Sequence, residues 1–321
     1  MEKLLEVKNL KKYFNVTKGL FKRSVSHVKA VDGIDFAIGK GETFGLVGES
    51  GCGKTTVGKL ILRLVSADDG EILFKGQDIL SIPRQEMLGY RKHIQMVFQD
   101  PYGSLNPRMT VEELIREPML KHKTIARQDA RSRVAELLGM VGMNPGDMRK
   151  YPHEFSGGQR QRIVVARTLS LNPSLIVCDE PVSALDVSVQ AQVLNLLDDL
   201  QNQFNISYLF IAHGMPVVKH ISDRVGVMYM GKLVEVADAD EIFKNCVHPY
   251  TKALMSAVPI PDPDAGHKRV ILEGEVPNPI NIPDGCRFHL RCSYCMERCK
   301  KEEPALKKVS PGHLLACHLI D

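Results

Sequence analysis

The chain has 321 residues, 44% of them apolar and 25% charged, enough to bury the core of one large domain or two smaller ones. A net charge of +4, from 42 Lys and Arg scattered among 38 Asp and Glu, gives no basic patch that points to nucleic acid. No run of about 18 apolar residues is present to span a bilayer, and the opening MEKLLEVKNLKKYF has no apolar signal core, so a cytosolic protein is expected. A reducing compartment would not keep a disulfide scaffold, and five of the eight cysteines cluster between Cys286 and Cys317.

In chain order, LLEVKNL and AVDGIDFAI read as strands of a small antiparallel sheet. TFGLV (43–47) is a strand that precedes a glycine-rich turn and the helical pattern KTTVGKLILRLV, and IQMVF (94–98) is a second buried strand. From about 101 to 165 the pattern turns helical and interrupts the α/β alternation as an insertion. LIVCD (175–179), a helix from about Val187 to Gln203, SYLFIAH (207–213) and RVGVMYM (224–230) then resume it. Such alternation predicts an α/β fold with a mostly parallel sheet. After about Ala237 come short helices, then VPIPDPDAGHK and EVPNPINIPDGC, too proline-rich for regular structure.

GESGCGKTT matches the phosphate-loop pattern GxxxxGK[ST] between a predicted strand and a predicted helix, the context the motif requires. Its members are Gly48, Glu49, Ser50, Gly51, Cys52, Gly53, Lys54 and Thr55, with Thr56 following. The glycines let successive backbone N–H groups curl around phosphate oxygens, Lys54 brings a compact charge to the β- and γ-phosphates, and Thr55 offers a hydroxyl to Mg²⁺. Further on, LIVCDE ends an apolar strand in two carboxylates. Alone these would be a solvated strand end; with a phosphate loop they become a metal and water site. Asp179 is expected to hold Mg²⁺ and Glu180 to act as general base.

HEFSGGQRQR places two glycines at a predicted helix start. Ser156 and Gln159 fit a capping box, which leaves the glycines, costly by about 1–2 kcal/mol together, unexplained. A helix start with bare N–H groups suits an anion, so close approach of a second phosphate-bearing surface is expected.

Together these motifs resemble the ATP-binding subunits of ABC transporters over nearly the whole chain. GESGCGKTT is similar to Walker A, FSGGQRQR to the family signature and LIVCDEP to Walker B; Gln99 is similar to the Q-loop glutamine, Ser183 to Asp186 to the D-loop, and His213 to the switch histidine. The resemblance implies a P-loop NTPase (RecA-like) core over 1–237 with an antiparallel β subdomain. It also implies ATP and Mg²⁺ as cofactors, with the ion held by Thr55, Gln99 and Asp179. Two such subunits pack head to tail in that family, so Ser156, Gly158 and Gln159 would contact a nucleotide held mainly by the partner. Phe14, with Tyr13 as the alternative, stands where the family stacks an aromatic on adenine. Gly214 and Met215 follow the histidine where relatives carry an acid and then an apolar residue, which puts the switch loop's turnover rate in doubt and leaves the nucleotide contacts intact.

Within the family the chain most resembles importer subunits for dipeptides and oligopeptides, through GLFKR, FQDPYGSLNPRMTV, SALDVSVQAQVLNLL and His248-Pro249-Tyr250, and specifically the second ATPase type of such pairs. That resemblance implies a paralogous ATPase partner, two membrane permeases, an extracytoplasmic solute-binding protein and a peripheral place on the cytoplasmic face of the membrane. A nickel chelate or an oligosaccharide is the alternative cargo, and a soluble, non-transport ABC ATPase the other class of function. The 238–321 extension packs cysteines into a proline-bounded tail with little apolar content, which suggests a metal staple of zinc or iron–sulfur. Its resemblance to the peptide-importer extension implies a [4Fe–4S] cluster on Cys286, Cys292, Cys299 and Cys317. Cys295 is additional to that pattern and, by forming a CxxC with Cys292, keeps zinc open.

Overall fold

The computed structural model describes residues 2–18, 24–258, 272, 274 and 277–320. Strands β1 (Lys3–Lys18), β2 (Ser24–Gly39) and β3 (Thr43–Val47) lead into α1 (Lys54–Ile61), followed by β4 (Asp69–Phe74), β5 (Gln77–Asp78), α2 (Met87–Tyr90) and β6 (Ile94–Val97). The helices α3 (Pro101–Ser104), α4 (Val111–Lys121), α5 (Ala130–Met140) and α6 (Gly157–Leu169) come next, then β7 (Leu175–Asp179), α7 (Val187–Phe204) and β8 (Ser207–Ala212). The chain continues through α8 (Met215–Ile221), β9 (Arg224–Tyr229), β10 (Lys232–Asp238), α9 (Ala239–Asn245), α10 (Pro249–Ser256), β11 (Lys307–Ser310) and β12 (His313–Leu315). GLFKR (19–23) and most of VPIPDPDAGHK lie outside the described residues.

The chain forms two compact units, one built mainly on Ser81–Phe210, the other on Lys3–Ile38, Thr43–Leu80 and the residues from Ile211 onward. In the first, β6 and β7 pair in parallel, with Ile94 opposite Leu175 and Val97 opposite Cys178. Every residue of β7 is buried, the continuous apolar run that a parallel strand covered on both faces requires. This register brings the two strands to an end side by side, so the residues that follow each emerge at one edge. Thr110 and Glu113 cap α4 reciprocally, and the apolar faces of α4, α5 and α6 bury Leu114, Leu137 and Ile163.

In the second unit, β2, β1, β4 and β5 form the small sheet in that order, with Leu5 opposite Phe74 in an antiparallel pair. A further set runs β11-β12-β10-β9-β3. Only its β3–β9 pair is parallel, whereas β9–β10, β10–β12 and β12–β11 are antiparallel. The expected mostly parallel sheet is therefore mixed. The reason is local: Met230 and Gly231, with φ of 43° and 84°, form a two-residue turn that reverses the chain between Tyr229 and Lys232, the positive-φ pair a tight hairpin needs. The tail also holds the two strands β11 and β12, which short, charged KKVS did not announce.

Helix α1 is shorter than the pattern KTTVGKLILRLV predicts. It stops at Ile61 because Arg63 turns left-handed with φ 50°, and the N–H groups of Leu62 and Leu64 donate back to Gly58 and Lys59, a C-terminal cap that satisfies the last carbonyls.

Candidate nucleotide site

The phosphate loop joins the all-buried β3 to α1. Gly48 and Gly53 are obligatory: a Cβ on either would come within 2.1 Å of the Met228 carbonyl oxygen or 2.0 Å of that of Ala30. The loop is thus moulded against two backbones, and its glycines are fixed by packing as well as by the phosphate they would cradle. Lys54, buried, donates to the carbonyls of Gly48 at 2.6 Å and Glu49 at 3.0 Å, and its Nζ lies 3.6 Å from Cys52 Sγ. The Cys52 side chain faces inward, against the Lys54 ammonium. It is buried, and burial raises its pKa against the pull of Lys54, so the thiol is not activated.

Glu49 is held from two directions. Its N–H donates to the Tyr250 hydroxyl at 2.8 Å, and its carboxylate accepts from Arg291 Nη1 and Nη2 at 2.8 and 3.1 Å. Neither partner was singled out from the sequence for this role, because separations of 201 and 242 residues leave no local signal.

Of the two aromatics, Tyr13 is committed elsewhere: its hydroxyl donates to Asp32, and Lys29 Nζ sits 5.6 Å from its ring centroid. Phe14 is 38% exposed with Lys12 Nζ 5.4 Å from its ring. An exposed ring beside a cation is of the kind that can stack on a base, and Phe14 lacks the tie to Asp32 that holds Tyr13.

In the other unit, Gln99 follows β6 and Glu180 follows β7, and Gln99 Nε2 donates to Glu180 Oε2 at 2.8 Å. Asp179 and Glu180 are buried at 4% and 6% exposure, and Glu180 adopts φ 50°, a left-handed conformation uncommon outside glycine and often found where a side chain must be aimed. Within this unit the Asp179 carboxylate and the amide oxygen that Gln99 keeps while its nitrogen serves Glu180 are hard oxygens of the kind Mg²⁺ takes; in the phosphate-loop unit, Thr55 offers a hydroxyl of the same kind. In the phosphate-loop unit, His213, exposed, follows β8, and the N-cap of α8 is Gly214, where a Cβ would meet nothing closer than 3.9 Å.

The signature helix α6 begins as expected. The Ser156 N–H donates to Gln159 Oε1 at 3.0 Å and the Gln159 N–H to Ser156 Oγ at 3.4 Å. The glycines, however, have a cause within the chain. Gly158 is buried, and a Cβ there would lie 2.4 Å from Val189 Cγ1 of α7; at Gly157 it would lie 3.3 Å from Leu185. Close helix packing therefore requires Gly158 before any ligand is considered. Asp186, exposed, is the N-cap of α7 without a side-chain bond.

In the tail, burial pushes the Cys286 thiol up to about 12, and the neighbouring Cys299, Cys317 and Cys292 push it the same way. The Cys286 N–H also donates to the Cys299 carbonyl at 2.8 Å. That bond joins the backbones of Cys286 and Cys299. Even so, among the described residues no group of three or more His, Cys, Asp or Glu is arranged to hold a metal ion. The donor set fits a metal in chemistry, but the expected metal site on Cys286, Cys292, Cys299 and Cys317 is not assembled among the described residues.

No helix among the described residues is long and apolar enough to cross a membrane. The ABC transporter family model matches residues 31–183, and the oligopeptide/dipeptide transporter C-terminal region matches 234–299. The chain is 53% identical to the oligopeptide transport ATP-binding protein AppF of Bacillus subtilis, over 99% of this chain and 98% of that one. It is 51% identical to OppF of Salmonella typhimurium, over 99% and 96%, and 46% identical to the dipeptide transport ATP-binding protein DppF of Haemophilus influenzae, over 99% and 97%. Among solved structures, the cassette MJ0796 bound to ADP and Pi superimposes with a TM-score of 0.64 at 25% identity, covering 73% of this chain and 98% of that one. For cbiO1 of Clostridium perfringens the TM-score is 0.66 at 25% identity, over 76% and 92%. With the phosphate loop, the paired strand-end acids and the capped signature helix all in place, the chain belongs to the family of ATP-binding subunits of oligopeptide and dipeptide ABC transporters.

Proposed function

We propose that this chain hydrolyses ATP on the cytoplasmic face of a membrane to drive import of dipeptides or oligopeptides, as the second ATPase type of a head-to-tail pair. One observation carries the hydrolytic part: Glu180, buried and left-handed, receives a hydrogen bond from Gln99 at the ends of adjacent parallel strands. The peptide cargo is supported by the match of 234–299 to the oligopeptide/dipeptide C-terminal region and by relatives named for peptide transport. The matches over 31–183 and 234–299 also support reading 1–237 as the ATPase domain and 238–321 as the importer extension, and the run of helices α3 to α6 supports a helical insertion at about 101–165.

In this reading Lys54 and the loop N–H groups hold the phosphates, and Phe14 holds the base. Thr55, Gln99 and Asp179 would hold Mg²⁺, which supplies charge neutralisation to the β- and γ-phosphates when bound. Glu180 accepts a proton from water as its oxygen attacks the γ-phosphorus; the bond to the bridging oxygen breaks, leaving ADP and phosphate. His213 contacts the γ-phosphate, and Ser156, Gly158 and Gln159 of the second ATPase close over the nucleotide, with Asp186 at the same junction. The remaining partners are two permeases and an extracytoplasmic solute-binding protein.

The cysteine tail belongs to the same proposal. The resemblance of the tail to the peptide-importer extension, with the family match over 234–299, supports a [4Fe–4S] cluster on Cys286, Cys292, Cys299 and Cys317, with zinc as the other outcome. Iron and sulfide analysis of protein purified without air decides: colourless, zinc-loaded protein defeats the cluster.

The transport reading is tested by reconstituting the chain with its permeases and binding protein and measuring ATP hydrolysis against added peptide. Stimulation by oligosaccharide or nickel chelate alone would overturn the cargo and leave the ATPase standing.

A further inference from the structure

The extension carries the segment Arg287-Phe288-His289-Leu290-Arg291, whose side chains reach three parts of the nucleotide-binding unit. Phe288 is buried and packs edge-on to Tyr229 at 5.3 Å, and against Tyr250 at 5.4 Å and His248 at 5.7 Å between ring centroids. Arg287, also buried, donates to Asp32 and to the Met230 carbonyl. Arg291 has a side chain only 7% exposed, and it grips the Glu49 carboxylate with both terminal nitrogens. Tyr250, from the same aromatic cluster, takes the Glu49 N–H. A cavity of about 100 Å³ beside Glu49 and Cys52 is walled on its far side by Pro277, Pro279 and Ile282 of the extension.

Glu49 is the second residue of a loop built to hold polyphosphate, where a bare carboxylate would repel the ligand. Local dielectric is low around partly buried groups, so such a repulsion is not screened away. Arg291 supplies the compensating charge in a bidentate geometry that a lysine does not reproduce. Phe288 fixes the turn that carries it.

Resting on the reading of Gly48–Thr55 as an ATP site, we infer that the C-terminal extension is a positioning element of that site. Arg291 neutralises and orients the phosphate-loop carboxylate Glu49, and Tyr250 fixes the backbone of the same residue. Arg291 is a positioning residue: it acts on the nucleotide through Glu49.

The test is equilibrium binding of MgATP to the full chain, with folding checked by thermal melting, in a cycle of Arg291→Gln, Glu49→Gln and the double variant. Arg291→Gln should weaken binding by about ten-fold or more, the cost of leaving one partner of a part-buried pair uncompensated. Glu49→Gln should lose less affinity than Arg291→Gln, because it leaves no bare carboxylate beside the phosphates. The double variant should recover most of the affinity that Arg291→Gln loses, since no bare carboxylate remains. Arg291→Lys, which keeps the charge and loses the fork, should fall between and serves if the glutamine variant does not fold. In the assembled transporter Arg291→Gln should raise KM for ATP more than it lowers kcat. Unchanged affinity in Arg291→Gln, a double variant as weak as that single one, or a lysine variant no better than glutamine overturns the inference. Failure of the unsubstituted chain to bind MgATP overturns the site reading instead.

Discussion

Gln99 donates to Glu180 across 2.8 Å, and this bond links the segment leaving β6 to the one leaving β7. It follows from parallel pairing in which Val97 stands opposite Cys178, since both chains then exit at one edge. The left-handed backbone at Glu180 aims the carboxylate.

Glu180→Gln should therefore keep ATP binding and lower turnover by at least about a hundred-fold, the scale of losing a general base. Phosphate release by the assembled ATPase pair, measured beside nucleotide binding, checks this. Undiminished hydrolysis would remove Glu180 from the role of base.

Phe14→Ala should weaken ATP by about 1–3 kcal/mol, the worth of a base–aromatic stack. Tyr13→Leu, which removes the aromatic face, should cost far less nucleotide affinity, because Tyr13 is tied to Asp32 and not to the base. Titration with ATP distinguishes the two, and the reverse order of effects assigns the stack to Tyr13.

Gly158→Ala should destabilise the chain by about 1–3 kcal/mol, as overpacking does, because the new methyl would sit 2.4 Å from Val189 Cγ1. Val189→Ala added to it should return most of the loss. Denaturant unfolding reads both. If the pair shows no recovery, Val189 is not what demands a glycine there.

His248 is buried, and its Nδ1 accepts the Tyr250 N–H at 3.1 Å as the N-cap of α10. Burial pulls its pKa down to about 3, so the folded chain keeps the ring neutral while the unfolded chain protonates it below about 6.5. Its contribution to stability is complete above pH 6.5 and is lost progressively as pH falls toward 3. At pH 5 the loss is about 2 kcal/mol. Unfolding free energies at pH 7 and pH 5 should differ by less in His248→Asn than in the unsubstituted chain; equal differences would show that the ring titrates normally.

The sequence by itself determined the chemistry-bearing segments. GESGCGKT, LIVCDE and SGGQ each need residues within about eight positions, because a loop that curls around phosphate, a strand that ends in acids and a capped helix start are set by local backbone preferences. It likewise fixed the buried strands β3, β7 and β8, whose uninterrupted apolar runs allow few other fates. Tertiary structure alone decided the rest. That Tyr13 is tied to Asp32 and Phe14 is not, that Gly158 makes room for Val189, that β9 and β10 turn the sheet mixed, and that Arg291 answers Glu49 across 242 residues all depend on which distant backbones meet. The cysteine tail marks the boundary: spacing suggested a ligand set, but whether four thiols face one centre is a matter of three-dimensional placement, and spacing along a chain does not encode it.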